Sequence, residues 1–117
     1  MRLYHGTSKK RAHGIRKRGL IPGKESPSDP NFVFHFVTNQ TSKEIRKQVF
    51  LTPDVAYAYR WASKAAKQDN SKPIILTFNI PDNFFPERGW LEKLEKQKGV
   101  LYEVSFARRI PSSFIVK

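Results

Sequence analysis

The chain has 117 residues, 38% hydrophobic and 13% aromatic, with a formal net charge of +12. That length suits one domain with a real core, and the apolar and aromatic content excludes a disordered chain. Cysteine is absent, which excludes a disulfide framework and a thiolate metal site, and three isolated histidines lack the paired spacing of structural zinc.

No apolar run is long enough to cross a bilayer, and no signal-peptide pattern opens the chain. The expectation is a cytoplasmic monomer that engages no membrane and needs no metal. Its charge is unevenly placed. Residues 1–24 hold eight Lys or Arg and no acid, residues 25–60 balance at four of each sign, and the remainder carries +4. Such a field suits a phosphate-bearing ligand or a nucleic acid, although a solvated basic helix face accounts for the same charge without either.

In chain order, Leu3-Tyr4 reads as a short strand that ends at His5 and opens into the polar turn Gly6-Thr7-Ser8. Ser8 is the expected N-cap of a basic helix over Lys9 to Arg18, with Ala12 and Ile15 as its thin apolar stripe and Gly19 as its stop. Gly6 permits close approach of a ligand to the backbone. His5, at a strand end, reaches a cleft or simply caps the turn. Residues 23–31 read as a loop, and Phe32 to Thr38 as a strand in which His35 is a structural or partly exposed residue.

Asn39 to Lys47 is polar and holds at most a helical turn. Val49-Phe50-Leu51 is a second short strand, closed by Thr52 as N-cap with Pro53 in the first helical position. The helix that follows carries Val55, Ala56, Tyr59, Ala62, Ala65 and Ala66 at helical intervals, with Lys64 and Lys67 outside. Its small alanines allow it to lie close to a sheet. After a turn at Asp69 to Lys72 come a strand over Pro73 to Ile80, a helix over Trp90 to Lys98 and a strand over Val100 to Phe106. Phe114-Ile115-Val116 is a short terminal strand. The pattern supports one mixed domain of five or six strands and three helices, with no repeat and no dividing linker.

Three chemistry-bearing residues stand in order along this pattern: His5, Tyr59 with Tyr57 beside it, and Glu103. Glu103 is the odd member, a carboxylate among Val100, Leu101, Tyr102, Val104 and Phe106, where a charge is costly unless it faces water or a cleft. Pairing with Arg108 or Arg109 is the structural alternative.

The same order of motifs resembles the ADP-ribosyltransferase superfamily. The resemblance lies in Leu3-Tyr4-His5-Gly6-Thr7, in Ile15 with Arg18-Gly19-Leu20, in Val49-Phe50-Leu51-Thr52 with Ala56 and Tyr59, and in Glu103 followed by Ile110-Pro111 and Phe114-Ile115. It is similar to the histidine–tyrosine–glutamate branch, which holds the diphtheria-type toxins and the poly(ADP-ribose) polymerases. The resemblance implies an α+β fold: a split β core of two packed, mainly antiparallel sheets, about three flanking helices, and an NAD cleft between the halves.

By the same resemblance, His5 would hydrogen-bond the adenine-side ribose of NAD, and Gly6 would hold the nicotinamide carboxamide through its backbone. Tyr59 would stack on nicotinamide, with Tyr57 as the other candidate, and Glu103 would bond the nicotinamide ribose. Thr7, Thr52 and Arg11 join the NAD-contacting set. The residue types suit the chemistry on their own account. Departing nicotinamide leaves cationic character on the ribose, which a preorganised carboxylate stabilises, and an aromatic ring offers a flat face to a heteroaromatic leaving group. Lys9, Lys10 and Arg11 beside a helix N-terminus attract a pyrophosphate.

Leu101, two residues before Glu103, stands where the arginine-modifying branch has a glutamate, so an arginine target is disfavoured. The acceptor stays open, with nucleic acid or a nucleic-acid-associated protein among the candidates. Two other readings compete with a mono-ADP-ribosyltransferase. An RNA 2′-phosphotransferase of the same superfamily uses a similar turn and NAD but needs a basic N-terminal lobe, which four residues before His5 do not supply. A non-catalytic basic nucleic-acid-binding protein would use the aromatics for stacking and the cations for phosphates.

Overall fold

Alternating side chains and a glycine give the first strand two different faces, and the fold is built on them. A computed structural model describes residues 1–22, 49–85, 104–106 and 108–117. Strand β1 (Arg2–Ser8) buries Leu3, His5 and Thr7 on one face and presents Tyr4, Gly6 and Ser8 on the other. Helix α1 (Lys9–Arg18) follows without a linker, and Ser8 caps it by accepting from the Arg11 N–H at 3.2 Å. Ala12 and Ile15 are its buried residues, as the thin apolar stripe predicts. At its end Gly19 adopts φ +82°, and a Cβ there would lie 2.1 Å from the Ile110 carbonyl oxygen, so glycine is required twice over.

Strand β2 (Val49–Leu51) leads to helix α2 (Val55–Asp69), and strand β3 (Pro73–Asn79) pairs antiparallel with β1 in the register His5↔Leu76 and Gly6↔Ile75. Strand β4 (Val104–Phe106) pairs antiparallel with β2, with Leu51 opposite Val104. Two antiparallel pairs therefore form among the described residues, joined by the single bridge Tyr4↔Thr52. Ile115 bridges to Phe78 on the far side of β3, so the C-terminal segment closes that edge.

Helix α2 covers the Gly6 face. The other face packs Leu3, Leu76, Phe78 and Ile80 with Ala12 and Ile15 of α1, and with Leu51, Val104, Phe106 and Ile110. Arg108 lies 3.6 Å from the centre of the Phe84 ring and donates to the Phe84 carbonyl at 2.7 Å, sealing one rim.

Three local expectations are corrected. β1 continues through Gly6, Thr7 and Ser8, so His5 lies mid-strand; pairing with β3 outweighs the turn propensity of the small polar residues. The N-cap of α2 is Asp54, which accepts from Ala56 and Tyr57 N–H groups at 2.9 and 3.4 Å, while the Thr52 hydroxyl accepts from Asp54 N–H and its backbone serves the strand bridge. The buried stripe of α2 is Tyr57, Ala58, Trp61, Ala62, Ala65 and Ala66, which leaves Val55, Ala56 and Tyr59 exposed. The strand over Phe32 to Thr38, the turn over Asn39 to Lys47, the helix over Trp90 to Lys98 and Glu103 itself lie outside the described residues. Among the described residues, no helix is long and apolar enough to cross a membrane.

Candidate functional site

The site begins where β1 and β2 part. In an antiparallel ladder, the N–H and C=O of one residue point the same way, and the direction alternates along the strand. Tyr4 N–H donates to the Thr52 oxygen at 2.7 Å and Thr52 N–H returns to Tyr4 at 2.9 Å, so even residues of β1 face β2. Met1 and Ile80 exchange the corresponding bonds at 2.8 Å, which fixes odd residues toward β3. Continued by one pair, the register would set Gly6 against Phe50. Instead, the Phe50 carbonyl accepts from the His5 ring at Nδ1, 3.0 Å away. The ladder stops, and among the described residues no bridge joins Gly6 to Phe50.

A carbonyl only accepts, so His5 carries its proton on Nδ1 and leaves Nε2 as a bare acceptor. Burial pushes the His5 pKa down from the ordinary 6.5 to about 4, opposed by the bond to Phe50 and assisted by the charge of Arg11. The ring is neutral near pH 7. The junction thus offers one fixed imidazole acceptor beside a glycine whose N–H and C=O turn toward β2 without forming the next bridge.

Gly6 is also where the helix comes closest. A Cβ at this position would lie 1.7 Å from the Ala58 oxygen and 2.7 Å from the Ala62 nitrogen, so backbone meets backbone. Helix α2 runs parallel to β1, its start beside the Tyr4–Thr52 bridge and its last residue, Asp69, bonded to Ser8. For L-residues and a right-handed helix in this position, chirality puts Tyr57 and Trp61 on the flank toward β2 and Tyr59 on the flank over β3.

Tyr57 and Trp61 are buried and pack edge to face with centroids 5.1 Å apart. The indole Nε1 of Trp61 is buried without a hydrogen-bond partner, unlike any other side-chain nitrogen or oxygen among the described residues. Tyr59, by contrast, is 55% exposed on the outer side.

The structure therefore puts His5 and Gly6 beside the Tyr4–Thr52 bridge, with the His5 ring on one face of β1 and Tyr57 on the helix that covers the other, and it leaves Tyr59 exposed. Thr7 is buried on the His5 face and Thr52 is fully buried, its hydroxyl spent on the turn into α2. Arg11 is engaged elsewhere: its Nε lies 2.7 Å from Asp69 Oδ2 and its terminal nitrogen 3.1 Å from Oδ1. Ser8 donates to the same carboxylate, so Asp69 ties the start of α1 to the end of α2.

Trp61 was missing from the sequence-level set. Its signal was present as the i, i+4 spacing from Tyr57 and the i, i+3 spacing from Ala58, which mark one helix face. Among the described residues, no group of three or more His, Asp or Glu side chains is arranged to hold a metal ion. No protein-family model and no curated protein sequence matches the chain.

Proposed function

We propose that the chain is an NAD-dependent mono-ADP-ribosyltransferase of the histidine–tyrosine–glutamate type, with an α+β split core. The observation that carries this reading is the interrupted β1–β2 ladder, where His5 takes the Phe50 carbonyl and the bridge expected at Gly6 does not form. A neutral Nε2 is suited to accept from a ribose hydroxyl, and a paired N–H and C=O match the two ends of a carboxamide. Tyr57, with Trp61 beside it, replaces Tyr59 as the aromatic of the site in this reading, since both lie on the flank toward β2.

Glu103, the residue before β4 in sequence, is assigned the catalytic carboxylate. As the bond from the ribose C1′ to nicotinamide breaks, nicotinamide keeps the electron pair and the ribose gains positive character. A carboxylate fixed beside it stabilises that charge. The acceptor then forms the new bond at C1′ and its proton passes to solvent.

The test measures nicotinamide release from NAD with protein, RNA and DNA acceptors in parallel. Wild type is expected to release nicotinamide, and a folded Glu103→Ala variant to lose at least about a hundredfold, the scale of one electrostatic stabiliser. Equal rates for the two proteins would remove the role given to Glu103, and no release by wild type with any acceptor would remove the reading. His5→Asn refines it: the shorter amide keeps a donor near Phe50 but loses the Nε2 acceptor, so it should fold and yet bind NAD poorly.

A further inference from the structure

The outer face of α2 takes no part in the site described above, and its residues are of one kind. Tyr59 stands at 55% exposure beside a surface groove of about 530 Å³ that it lines with Arg60, Ser63, Lys64 and Lys67. The strip continues past the end of the helix. Lys9 N–H donates to the Lys72 carbonyl at 2.8 Å and Lys10 N–H to the Ser71 hydroxyl at 3.3 Å, which brings the start of α1 against the end of α2. Lys9, Lys10, Lys67 and Lys72 are all exposed there. Asp69, the acid at this junction, is already paired with Arg11, and Asp54 caps the opposite end of the helix. A row of cations about one helix long therefore runs beside one open aromatic ring.

We infer that this face of α2 is a docking surface for single-stranded nucleic acid. Tyr59 stacks on an unpaired base, and Arg60, Lys67 and the Lys9–Lys10–Lys72 end hold successive phosphates. Single-stranded binders combine these two features, since every base has a π-face and the backbone supplies the charge. A duplex hides its base faces and would leave the ring unused. An anionic lipid surface is the weaker match, because an interfacial helix inserts a broad apolar strip, whereas the large apolar side chains that α2 exposes are Val55 and Tyr59, one turn apart. The surface does not depend on NAD chemistry, and its binding is measured without NAD.

The test is fluorescence anisotropy of a labelled single-stranded RNA, a matched single-stranded DNA and the corresponding duplex, titrated with the full chain from about 50 to about 200 mM salt. Wild type should prefer the single strands, with log affinity falling against log salt by about 0.7 for each phosphate neutralised. Tyr59→Ala should weaken binding roughly five- to a hundredfold and leave the salt slope unchanged, while Tyr59→Trp keeps the affinity. Lys67→Gln and Arg60→Gln should each reduce the slope by about 0.7.

All three side chains changed are exposed, and a thermal melt of each variant confirms folding. Equal affinity of wild type and Tyr59→Ala overturns the inference, as does preference for the duplex. So does stronger binding to phosphatidylserine vesicles than to either single strand.

Discussion

His5 on β1 and Phe50 on β2 are 45 residues apart in sequence and are joined by one hydrogen bond of 3.0 Å from the imidazole Nδ1–H to the carbonyl oxygen. That bond occupies the place of a ladder pair. It holds the strands together where the bridge at Gly6 does not form, and it fixes the tautomer of the ring. One side chain thus sets the geometry and the protonation state of the junction.

The consequence for stability is a pH dependence with a defined sign. The His5 pKa is lowered to about 4 in the folded chain, against 6.5 when unfolded, so between these values the unfolded chain binds the extra proton. Stability is full above about pH 6.5, falls as pH drops through the window, and is fully lost from this source below about pH 4. The total is about 3 kcal/mol. Urea denaturation across pH 7 to 4 should show this slope in wild type and lose most of it in His5→Asn. A flat profile in wild type would mean that His5 is not buried as described.

Gly6 gives a steric prediction. A Cβ at this position meets the backbone of Ala58 at 1.7 Å and of Ala62 at 2.7 Å, atoms that move only if α2 moves. Gly6→Ala should therefore destabilise by about 3 kcal/mol or more, the upper end of overpacking costs. The denaturation midpoint in urea checks it. A loss below about 1 kcal/mol would show that the helix is free to lift from the strand.

These two residues also show what was legible in the sequence. The importance of His5-Gly6 was readable, because a histidine and a glycine interrupt an apolar strand next to a capping serine. Their placement was not, since strand pairing with β3, from Gly6↔Ile75 to Ser8↔Pro73, extends β1 past the polar residues. Helix α2 was readable as a helix but not in its register. Ala58, Ala62 and Ala65 fit either of two stripes, and the choice between Tyr59 and Tyr57 with Trp61 is decided by which flank turns toward β2. Asp54 against Thr52 as the cap is a similar case: both residues are good caps, and the bridge to Tyr4 claims Thr52.

Asp69 should behave as a structural clasp. Burial raises its pKa, but hydrogen bonds from Ser8 and Arg11 and the charges of Arg11 and Lys10 outweigh it and hold the carboxyl below its ordinary 3.8. A depressed carboxyl stabilises the fold above its unfolded pKa and loses that contribution as pH falls below it, so this loss begins where the His5 window ends. Asp69→Asn should cost about 1.5–3 kcal/mol at pH 7, the range for hydrogen bonds to a charged group. A double-mutant cycle of Ser8→Ala with Asp69→Asn should give a coupling of at least about 0.5 kcal/mol. Strict additivity of the two changes would show that the Ser8–Asp69 bond does not persist in solution.

Trp61 offers the sharpest separation of fold from function. Its indole N–H is buried without a partner among the described residues, so the fold carries the desolvation of that group. Trp61→Phe removes the donor and keeps most of the apolar volume. If the N–H serves only the fold, the variant should lose stability; if it is held for a ligand, stability should stay level or rise by up to about 1 kcal/mol. The same variant should then raise KM for NAD in the nicotinamide-release assay while the melting profile holds. The arrangement of Tyr57 and Trp61 predicts the second outcome, and a KM for NAD unchanged by Trp61→Phe would show that the indole N–H is not held for a ligand.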